Sequence, residues 1–378
     1  MQRWTHSVTT LLLLNSLSGP LSAQERPTVF DLSEYSCPEC SIRLEHALRI
    51  GDDSGPGRIE RTDVVTQRGD GTFVVHLQFD PGFMQTFGPA GEYLGRFGKQ
   101  GGGPGEFQTI QELIALETNS IVAFDYQNQR ATILNGEGQA RATIPLRGFL
   151  PSQTGVVAFP EDSLLFLCAH VRTADRVGYP LHLVDFGGRV RRSFGAPPNV
   201  VVDLDEKQFK RRLAGSPGGN VWAAHLRDYV LDEWSLAGVQ LRSYRRHPEW
   251  YVVEDPYVPI SPRGGRFSEV MDIELDRQSG HLWVLVQVPS SDADWADGLI
   301  SEEYGGKVEY GPGDYDKLYD TMVEVIDVQN NRLLASQRVA PALRRFVAPN
   351  LASSFGSDPT TGVEFLNVWR VTLLGPTR

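Results

Sequence analysis

The chain has 378 residues, with 47 acidic and 36 basic side chains and a formal net charge of -11 at pH 7. This acidic balance argues against binding to a phosphate backbone, so nucleic acid is not an expected partner. Its 38 glycines and 24 prolines are spread along the chain and mark no linker, which is typical of many short strands joined by tight turns.

The first segment has the composition of a secretory leader. Arg3 supplies positive charge, an apolar run extends from Val8 to Leu17, and Ala23 ends a group of small residues suited to cleavage. The run is about half the roughly 20 residues that span a bilayer. We expect cleavage of residues 1–23 near Ala23, giving a periplasmic or secreted monomer without a membrane span. A buried N-terminal helix is the alternative.

Residues 24–41 form an N-terminal extension with a Cys-x-x-Cys motif, Cys37 and Cys40. Ser41 stands where a haem attachment motif has histidine, and zinc needs four ligands whereas the chain has three cysteines. A redox pair would need a βαβ context, which the pattern lacks. An oxidising compartment therefore favours a structural disulfide. The third cysteine, Cys168, ends an apolar run and is expected to be a buried thiol.

An internal repeat follows the extension. A Gly-Pro-Gly turn begins at Gly55 and again at Gly103, 48 residues later, and each turn is preceded by a similar strand ending in glycine. A shorter echo at Arg191-Arg192-Ser193-Phe194-Gly195 lies about two periods further on. A period in the forties is typical of blade arrays. The residues after Gly51, not counting one insertion, are enough for six periods. Five or seven blades are the alternatives.

One period contains four predicted strands separated by turn residues: Thr109–Leu116, Ser120–Phe124, Arg130–Leu134 and Ala140–Leu146. Four short antiparallel strands are the blade unit of a propeller. Residues 42–378 are therefore predicted to form an all-β, six-bladed β-propeller of four-stranded antiparallel blades. Trp222, Trp234 and Trp283 fall within later strands and are predicted to pack in the core.

The second period resembles an NHL repeat. The matching positions are Gly103-Pro104-Gly105-Glu106-Phe107, Ile114-Ala115-Leu116, Val122-Ala123-Phe124-Asp125, Asn128-Gln129-Arg130 and Ile133-Leu134. As a whole the chain resembles exported bacterial six-bladed propellers with Cys-x-x-Cys before a Gly-Pro-Gly turn, and that resemblance implies a fold rather than an activity. Related propellers include a metal-dependent amidating lyase, so the resemblance leaves an enzyme open, although the metal ligands of that lyase are not assigned to residues of this sequence.

Ring closure is predicted from the two ends of the repeat array. The pattern after Pro341 contains three strands, whereas Ile42–Ile50 is a strand without a blade of its own. We expect Ile42–Ile50 to complete the last blade, because pairing the two ends removes exposed sheet edges. Deletion of this strand should open the fold.

An acidic insertion at about 290–320 carries enough carboxylates for a calcium site. It lacks the alternating donors, central glycine and final glutamate of an EF-hand loop. The segment is therefore interpreted as a solvated loop, with calcium kept as an alternative and no cofactor or metal ligand predicted.

Catalytic residues are not identifiable from the sequence. No Gly-x-Ser-x-Gly motif occurs, and Gly101-Gly102-Gly103 lacks the Lys-Ser/Thr ending of a phosphate loop, so it is read as a turn between blades.

The longest connections provide the candidate site. Connections between second and third strands and connections between blades emerge on one face, which surrounds the mouth of the central channel. The candidate ligand-binding residues there are His170, Arg172, Arg176, His247, Trp250, Tyr251, Asp255, Tyr257, Arg263 and Arg266. The alternative is that these residues cover the rim of the channel and have no role in binding.

The functional hypothesis is an exported binding propeller that recognises a protein or a small ligand on its loop-rich face. The alternative is a propeller hydrolase or lyase, with or without a metal.

Overall fold

The computed structural model describes residues 27–375 except 34, 61, 63, 78–79, 117–118, 160, 162, 172–177, 196–209, 217, 254–266, 293–298, 301–307 and 310–317. Within these residues the chain is all-β, and none of its segments is a helix of the length and apolar character needed to cross a bilayer. Two N-terminal strands, β1 (Thr28–Asp31) and β2 (Ser41–Ile50), precede the blades.

The first three blades follow the predicted repeat. Blade 1 contains β3 (Val65–Gln67), β4 (Phe73–His76), β5 (Phe83–Phe87) and β6 (Tyr93–Gly98). Blade 2 contains β7 (Ile110–Ala115), β8 (Ile121–Asp125), β9 (Arg130–Leu134) and β10 (Ala140–Pro145). Blade 3 contains β11 (Phe149–Phe159), β12 (Leu164–Val171), β13 (Leu181–Asp185) and β14 (Val190–Phe194).

The remaining blades contain the insertion and the closure. Blade 4 contains β15 (Arg211–Gly215), β16 (Val221–His225), β17 (Val230–Trp234) and β18 (Gln240–Arg245). Blade 5 contains β19 (Glu269–Asp276), β20 (His281–Pro289), β23 (Tyr319–Asp327) and β24 (Arg332–Val339), with a separate pair, β21 (Leu299–Ile300) and β22 (Val308–Glu309), in the insertion. Blade 6 contains β25 (Arg345–Ala348), β26 (Leu351–Ser357) and β27 (Glu364–Leu374).

The predicted six-bladed β-propeller is confirmed. Within each blade, consecutive strands pair antiparallel, and the first strands β3, β7, β11, β15, β19 and β25 contact one another in sequence around a ring. The core lies between neighbouring blades, as where Trp222 stacks on Tyr244 beside the apolar strands of blade 5. Trp222, Trp234 and Trp283 are buried, as predicted.

The ring is closed by the N-terminal strand. β2 pairs antiparallel with β27, from Ser41 opposite Leu374 to Ile50 opposite Leu366, and becomes the outermost strand of blade 6. Ile42 and Ile50 are buried on this strand. The predicted closure is therefore confirmed, and the last blade is built from both ends of the chain.

Residues 27–33 and 35–40, here called the N-terminal belt, run along the outer edges of blades 4 and 5 before β2 begins. β1 pairs in parallel with β18 and gives blade 4 a fifth strand. Ser36 then donates its backbone N–H to the carbonyl of Leu333 in blade 5 at 2.9 Å. The Cys37–Cys40 disulfide forms as predicted, just before β2, and Cys168 is a buried free thiol.

A buried ion pair holds the belt to the blades. Arg246 donates to both carboxylate oxygens of Glu324, at 3.1 and 2.6 Å, and also to the carbonyl oxygen of Leu32 in the belt. Tyr229 donates its hydroxyl to the same carboxylate at 2.5 Å. These side chains are buried, so each charge is compensated within the protein rather than by water.

The Gly-Pro-Gly turn before blade 2 is braced by the residues that carry the NHL resemblance. Arg130 donates to the carbonyl oxygens of Gly102 and Gly103, both at 2.8 Å. Asn128 donates to the Gly101 carbonyl at 2.9 Å and to Asp125 at 2.6 Å. Because Gly101 has a φ of 150°, a glycine is favoured at this position. These contacts confirm the interpretation of the Gly-rich run as a turn between blades.

The first two strands of blade 3 are long and irregular. β11 covers Phe149–Phe159 and β12 covers Leu164–Val171. They pair from Phe149 opposite Val171 to Phe159 opposite Leu164, across a register shift between Pro151 and Val156. The turn residues of the sequence give no sign of this irregularity.

We predict that deletion of residues 24–50 prevents folding, because it removes both the belt and the outer strand of blade 6. Ile42 and Ile50 are 3% and 0% exposed, and full burial of each side chain contributes about 1.5–3 kcal/mol. That loss is a large part of the roughly 5–15 kcal/mol that stabilises a typical domain.

The matched control is deletion of residues 24–40, which retains β2. This variant should fold and unfold at a lower denaturant concentration than the wild type, as measured by tryptophan fluorescence in urea. A deletion of residues 24–50 that unfolds at the wild-type midpoint would contradict the assigned closure.

Candidate functional site

The six inner strands surround a central cavity with a volume of about 1410 Å³. Every blade contributes to its wall. The wall also includes Gln100 and Gln108, from the connection between blades 1 and 2, and Pro81 and Gln127, from connections between second and third strands. The cavity therefore extends to the face on which these two kinds of connection lie.

This face is also the one that carries the long connections predicted to form the site. Because neighbouring strands of a blade are antiparallel, all connections from second to third strands and all connections between blades start on one face. The long connections at 172–180, 195–210, 246–268 and 290–318 belong to these two kinds. The cavity and the predicted loop-rich face consequently share one side of the propeller.

Charged side chains of both signs meet in the cavity. Arg345 of blade 6 forms an ion pair with Glu112 of blade 2, and so reaches past blade 1. Asp272 of blade 5 accepts a hydrogen bond from the backbone N–H of Phe346 at 2.7 Å. Arg212 of blade 4 donates to the carbonyl of Val270 at 3.3 Å. We call Glu112, Arg212, Asp272 and Arg345 the channel cluster.

Three β-bulges interrupt the inner strands beside the cavity. Gln111 is an extra residue in β7, because Ile110 pairs with Asp125 while Glu112 pairs with Phe124. Met271 in β19 and Val347 in β25 are extra residues in the same way. A bulge re-aims the neighbouring side chains. Gln111 and Glu112 line the cavity together with the rest of residues 108–115, and Met271 and Asp272 line it together with Ile273 and Glu274.

Burial changes the acid–base properties of these groups. It raises the pKa of Glu112 and of Asp272, although arginines lower both values in part. It raises the pKa of Glu274 to about 8, with a further contribution from the neighbouring negative charge of Asp272. Burial likewise lowers the pKa of Arg212. At neutral pH the Glu274 carboxyl therefore holds a proton that an exposed glutamate would have lost.

Chemically, this arrangement offers hydrogen-bond donors and acceptors of both charges within one concave space. Within the described part of the chain, no group of three or more His, Cys, Asp or Glu side chains is arranged to hold a metal ion. The carboxylates of the channel cluster instead contact an arginine and a backbone amide. This geometry suits recognition of a polar molecule by directed hydrogen bonds.

Most of the residues predicted for the site fall outside the described residues. These are Arg172, Arg176, Asp255, Tyr257, Arg263 and Arg266. The backbone of His170 lies in β12 opposite Leu150, and its side chain is likewise outside the description. His247 is exposed at the start of the connection between blades 4 and 5. Their role in binding stays a prediction.

Trp250 and Tyr251 are described, and they pack against the blades. Tyr251 stacks on Tyr229 with ring centroids 5.2 Å apart, and its hydroxyl donates to the carbonyl of Arg227 at 3.0 Å. Trp250 contacts both rings at centroid distances of 6.0 Å. These two aromatics therefore hold the start of the connection between blades 4 and 5 against the core between these blades.

The channel cluster was not predicted from the sequence, although a signal exists. Glu112, Arg212, Asp272 and Arg345 each lie in or at the first strand of a blade. First strands line the channel of a propeller, so charged residues at these positions stand out from the apolar pattern that a buried strand would show.

The fold matches solved structures at low sequence identity. A protein from Bacteroides fragilis NCTC 9343, named as an exported protein, aligns with a TM-score of 0.55 and 10% identity over 92% of this chain and 100% of its own. A member of the DUF4221 family from Bacteroides vulgatus aligns with a TM-score of 0.60 and 9% identity over 88% and 99%. No protein-family model and no curated protein matches the chain. At such identities the likeness establishes the shared fold alone.

We predict that Glu274 makes the stability of the protein depend on pH. Its pKa is about 8 in the folded protein and about 4.3 in an unfolded chain. Between these values the folded protein holds a proton that the unfolded chain has released, so the free energy of unfolding decreases as the pH rises through this range. Because only one proton is involved, the free energy of unfolding changes by at most roughly 1.4 kcal/mol per pH unit.

The variant Glu274→Gln should show a flatter pH dependence and should be more stable than the wild type at about pH 8. Urea unfolding at several pH values measures this, with Glu137→Gln, at an exposed turn, as the control for the change in net charge. Equal slopes for Glu274→Gln and the wild type would show that Glu274 is ionised in the folded protein.

Proposed function

We propose that this chain is an exported binding protein that holds a small polar ligand in its central cavity. The channel cluster is the observation that carries this proposal. Apolar side chains of similar volume would fill the channel, and replacing buried ion pairs in this way is often neutral or stabilising. Folding alone therefore does not account for charged groups from four blades converging on one cavity, whereas recognition of a polar ligand does.

The charges in the cavity favour a ligand without strong net charge. The wall carries five acids and four bases: Glu60, Glu112, Asp272, Glu274 and Glu364 against Arg212, Arg344, Arg345 and His76. Burial lowers the pKa of His76. Glu274 is protonated at neutral pH, which reduces the difference. A strong anion would face the carboxylates and a strong cation the arginines. A neutral molecule with many hydrogen-bonding groups meets neither repulsion.

The long connections would form the rim through which the ligand enters. In this proposal the predicted residues of the loop-rich face contact the ligand or a protein partner after the cavity has bound its polar part. Loops on a rigid scaffold commonly carry such contacts. Among the predicted residues of this rim that the structure describes, His247 is exposed at the start of one connection.

Two features support the exported part of the proposal. The N-terminal segment has a positive charge followed by an apolar run and small residues, the pattern of a cleavable leader. The Cys37–Cys40 disulfide is a bond that persists in oxidising compartments such as the periplasm or the extracellular space.

A propeller hydrolase or lyase is the second candidate, and Glu274 is the observation that favours it. A carboxyl group with a pKa of about 8 can donate a proton at neutral pH, as a general acid does. Conversion of a bound ligand by the wild type, lost in Glu274→Gln, would identify an enzyme. Recovery of the ligand unchanged would identify a binding protein.

The proposal predicts that filling the cavity abolishes ligand binding. Ala348 and Ala115 line the wall, so Ala348→Trp and Ala115→Trp place large side chains in the cavity. Loss of a binding anchor costs roughly 2 kcal/mol or more, and we expect at least about a 30-fold loss of affinity for any compound that binds there. Calorimetric titration with a panel of sugars, amino acids and carboxylic acids provides the measurement.

The control is Ala90→Trp, at an exposed turn of blade 1, which should bind the same compound with wild-type affinity. Thermal unfolding of each variant checks that the fold is retained. If a compound binds the wild type and both cavity variants equally well, then the cavity is not the binding site.

A further inference from the structure

Glu274 lies toward the far end of the cavity, which is the end opposite the loop-rich face. The first strands all start on the loop-rich face, and Glu274 is the sixth of the eight residues of β19. The wall residues Gln67, Ala115 and Ala348 are the last residues of β3, β7 and β25. An acidic side chain therefore lies at the same end of the cavity as neutral and mostly small ones.

The Glu274 side chain points away from the core between blades 4 and 5. Its neighbours Ile273 and Leu275 are buried in that core. The pairing of β19 with β20 is regular after Met271 and sets Glu274 opposite Trp283, so the side chains alternate and Glu274 lies on the other face of the strand. β19 is an inner strand and Glu274 is only half-buried. Its accessible surface thus belongs to the cavity that it lines.

Glu274 has no counterion within the described part of the chain. Its carboxyl forms no hydrogen bond or ion pair there, and the charges that act on it are those of Asp272, Asp276 and Arg277. Arg277 extends toward blade 4, where its Nη2 atom lies beside Gly215. A poorly solvated carboxyl group that has more negative than positive charge around it takes up a proton.

The channel cluster, in contrast, balances its own charges. It contains two carboxylates, of Glu112 and Asp272, and two arginines, Arg212 and Arg345. Arg345 forms the ion pair with Glu112, and the positive charges of Arg345 and Arg212 also act on Asp272. Glu274 is therefore the acid that the cluster leaves without a positive partner, and a proton takes the place of that partner.

We infer that the Glu274 carboxylate binds an ammonium group of the ligand in exchange for its proton, and that the ligand is a zwitterion of the amino-acid class. This inference rests on the proposed function, since it places the ligand in the same cavity. An ammonium group donates three hydrogen bonds and supplies the missing positive charge, while the displaced proton passes to the solvent. A zwitterion also has no net charge, as the wall of the cavity favours.

Arg212 is placed to receive the carboxylate of such a ligand. Its Nε–H donates to the carbonyl of Val270 at 3.3 Å, so its guanidinium lies near that residue. Val270 and Glu274 pair with residues three positions apart on β20, which separates them by roughly 10 Å along the strand. One or two residues of extended chain, at about 3.5 Å each, fit between the two groups with a hydrogen bond at each end.

The inference predicts that binding releases a proton. L-alanine and L-alanyl-L-alanine are titrated calorimetrically at pH 7 in phosphate and in Tris, whose ionisation enthalpies differ. With a pKa of about 8, Glu274 is protonated in most molecules at pH 7, so binding of at least one of these compounds should release close to one proton. Its affinity should rise up to about 10-fold from pH 6 to pH 7.

The variant Glu274→Gln keeps the shape of the side chain and cannot ionise. Binding to it should release no proton, and its affinity at pH 8 should be about 10-fold below that of the wild type. The matched control Glu137→Gln removes the same charge at an exposed turn and should retain both wild-type affinity and proton release. N-acetyl-L-alanine, which lacks the ammonium group, should bind the wild type at least about 10-fold more weakly than L-alanine does.

The outcomes separate this inference from the proposed function. If a sugar or a carboxylic acid binds instead of both zwitterions and Ala348→Trp abolishes that binding, the cavity is the binding site but the inference is wrong. If a zwitterion binds without proton release, or with equal affinity to Glu274→Gln and the wild type at pH 8, the ammonium site is also wrong. If neither zwitterion binds, the assigned ligand class is overturned. If a zwitterion binds regardless of Ala348→Trp, both proposals fail.

Discussion

Pairing between β2 and β27 is the constraint on which the rest of the structure depends. A propeller is a ring in which each blade packs against two neighbours, and the ring holds together only if the last blade is complete. Here the final strand of blade 6 comes from the start of the chain, and a backbone ladder joins them from Ser41 to Ile50. Backbone hydrogen bonds between residues more than 300 positions apart therefore fix the geometry of the channel.

The candidate site depends directly on this closure. Both contacts that join Glu112 and Asp272 to another blade lead to blade 6, through Arg345 and the backbone of Phe346. If blade 6 shifted outward, Glu112 would keep its buried position and lose its ion-pair partner, which is costly in a poorly solvated space. The belt adds to the same restraint, because the Arg246–Glu324 ion pair holds Leu32 against blades 4 and 5.

The fold could be predicted from the sequence, whereas the arrangement of charged residues in the channel could not. The Gly-Pro-Gly turns and the period of four strands predicted the blades, because the residues that form a turn are adjacent in the sequence. The strand Ile42–Ile50, which has no blade of its own, predicted the closure. β1 was missed because four residues that pair in parallel with β18, over 200 positions away, have no local signature. The same holds for the bulges at Gln111 and Met271. A bulge changes which side chains face the channel, and the partner strand that defines it cannot be identified from neighbouring residues.

The sequence and the structure place the candidate binding residues in different parts of the propeller. The sequence placed recognition on long connections, where tryptophan, tyrosine and arginine are concentrated, while the structure gives Trp250 and Tyr251 a packing role against Tyr229. The channel cluster lies on rigid inner strands, which hold polar groups more precisely than loops do. The connections can still act at the entrance, so the cavity and the rim would be successive parts of one path.

Hydrogen–deuterium exchange with and without a bound compound from the calorimetric panel distinguishes these views most directly. The central claim is that the ligand sits between the inner strands, so binding should slow exchange in β7, β19 and β25, which carry Glu112, Asp272 and Arg345. Local opening of these strands is what such a ligand would suppress. Protection confined to residues 172–177 and 254–266, with unchanged exchange in the three inner strands, would contradict the claim.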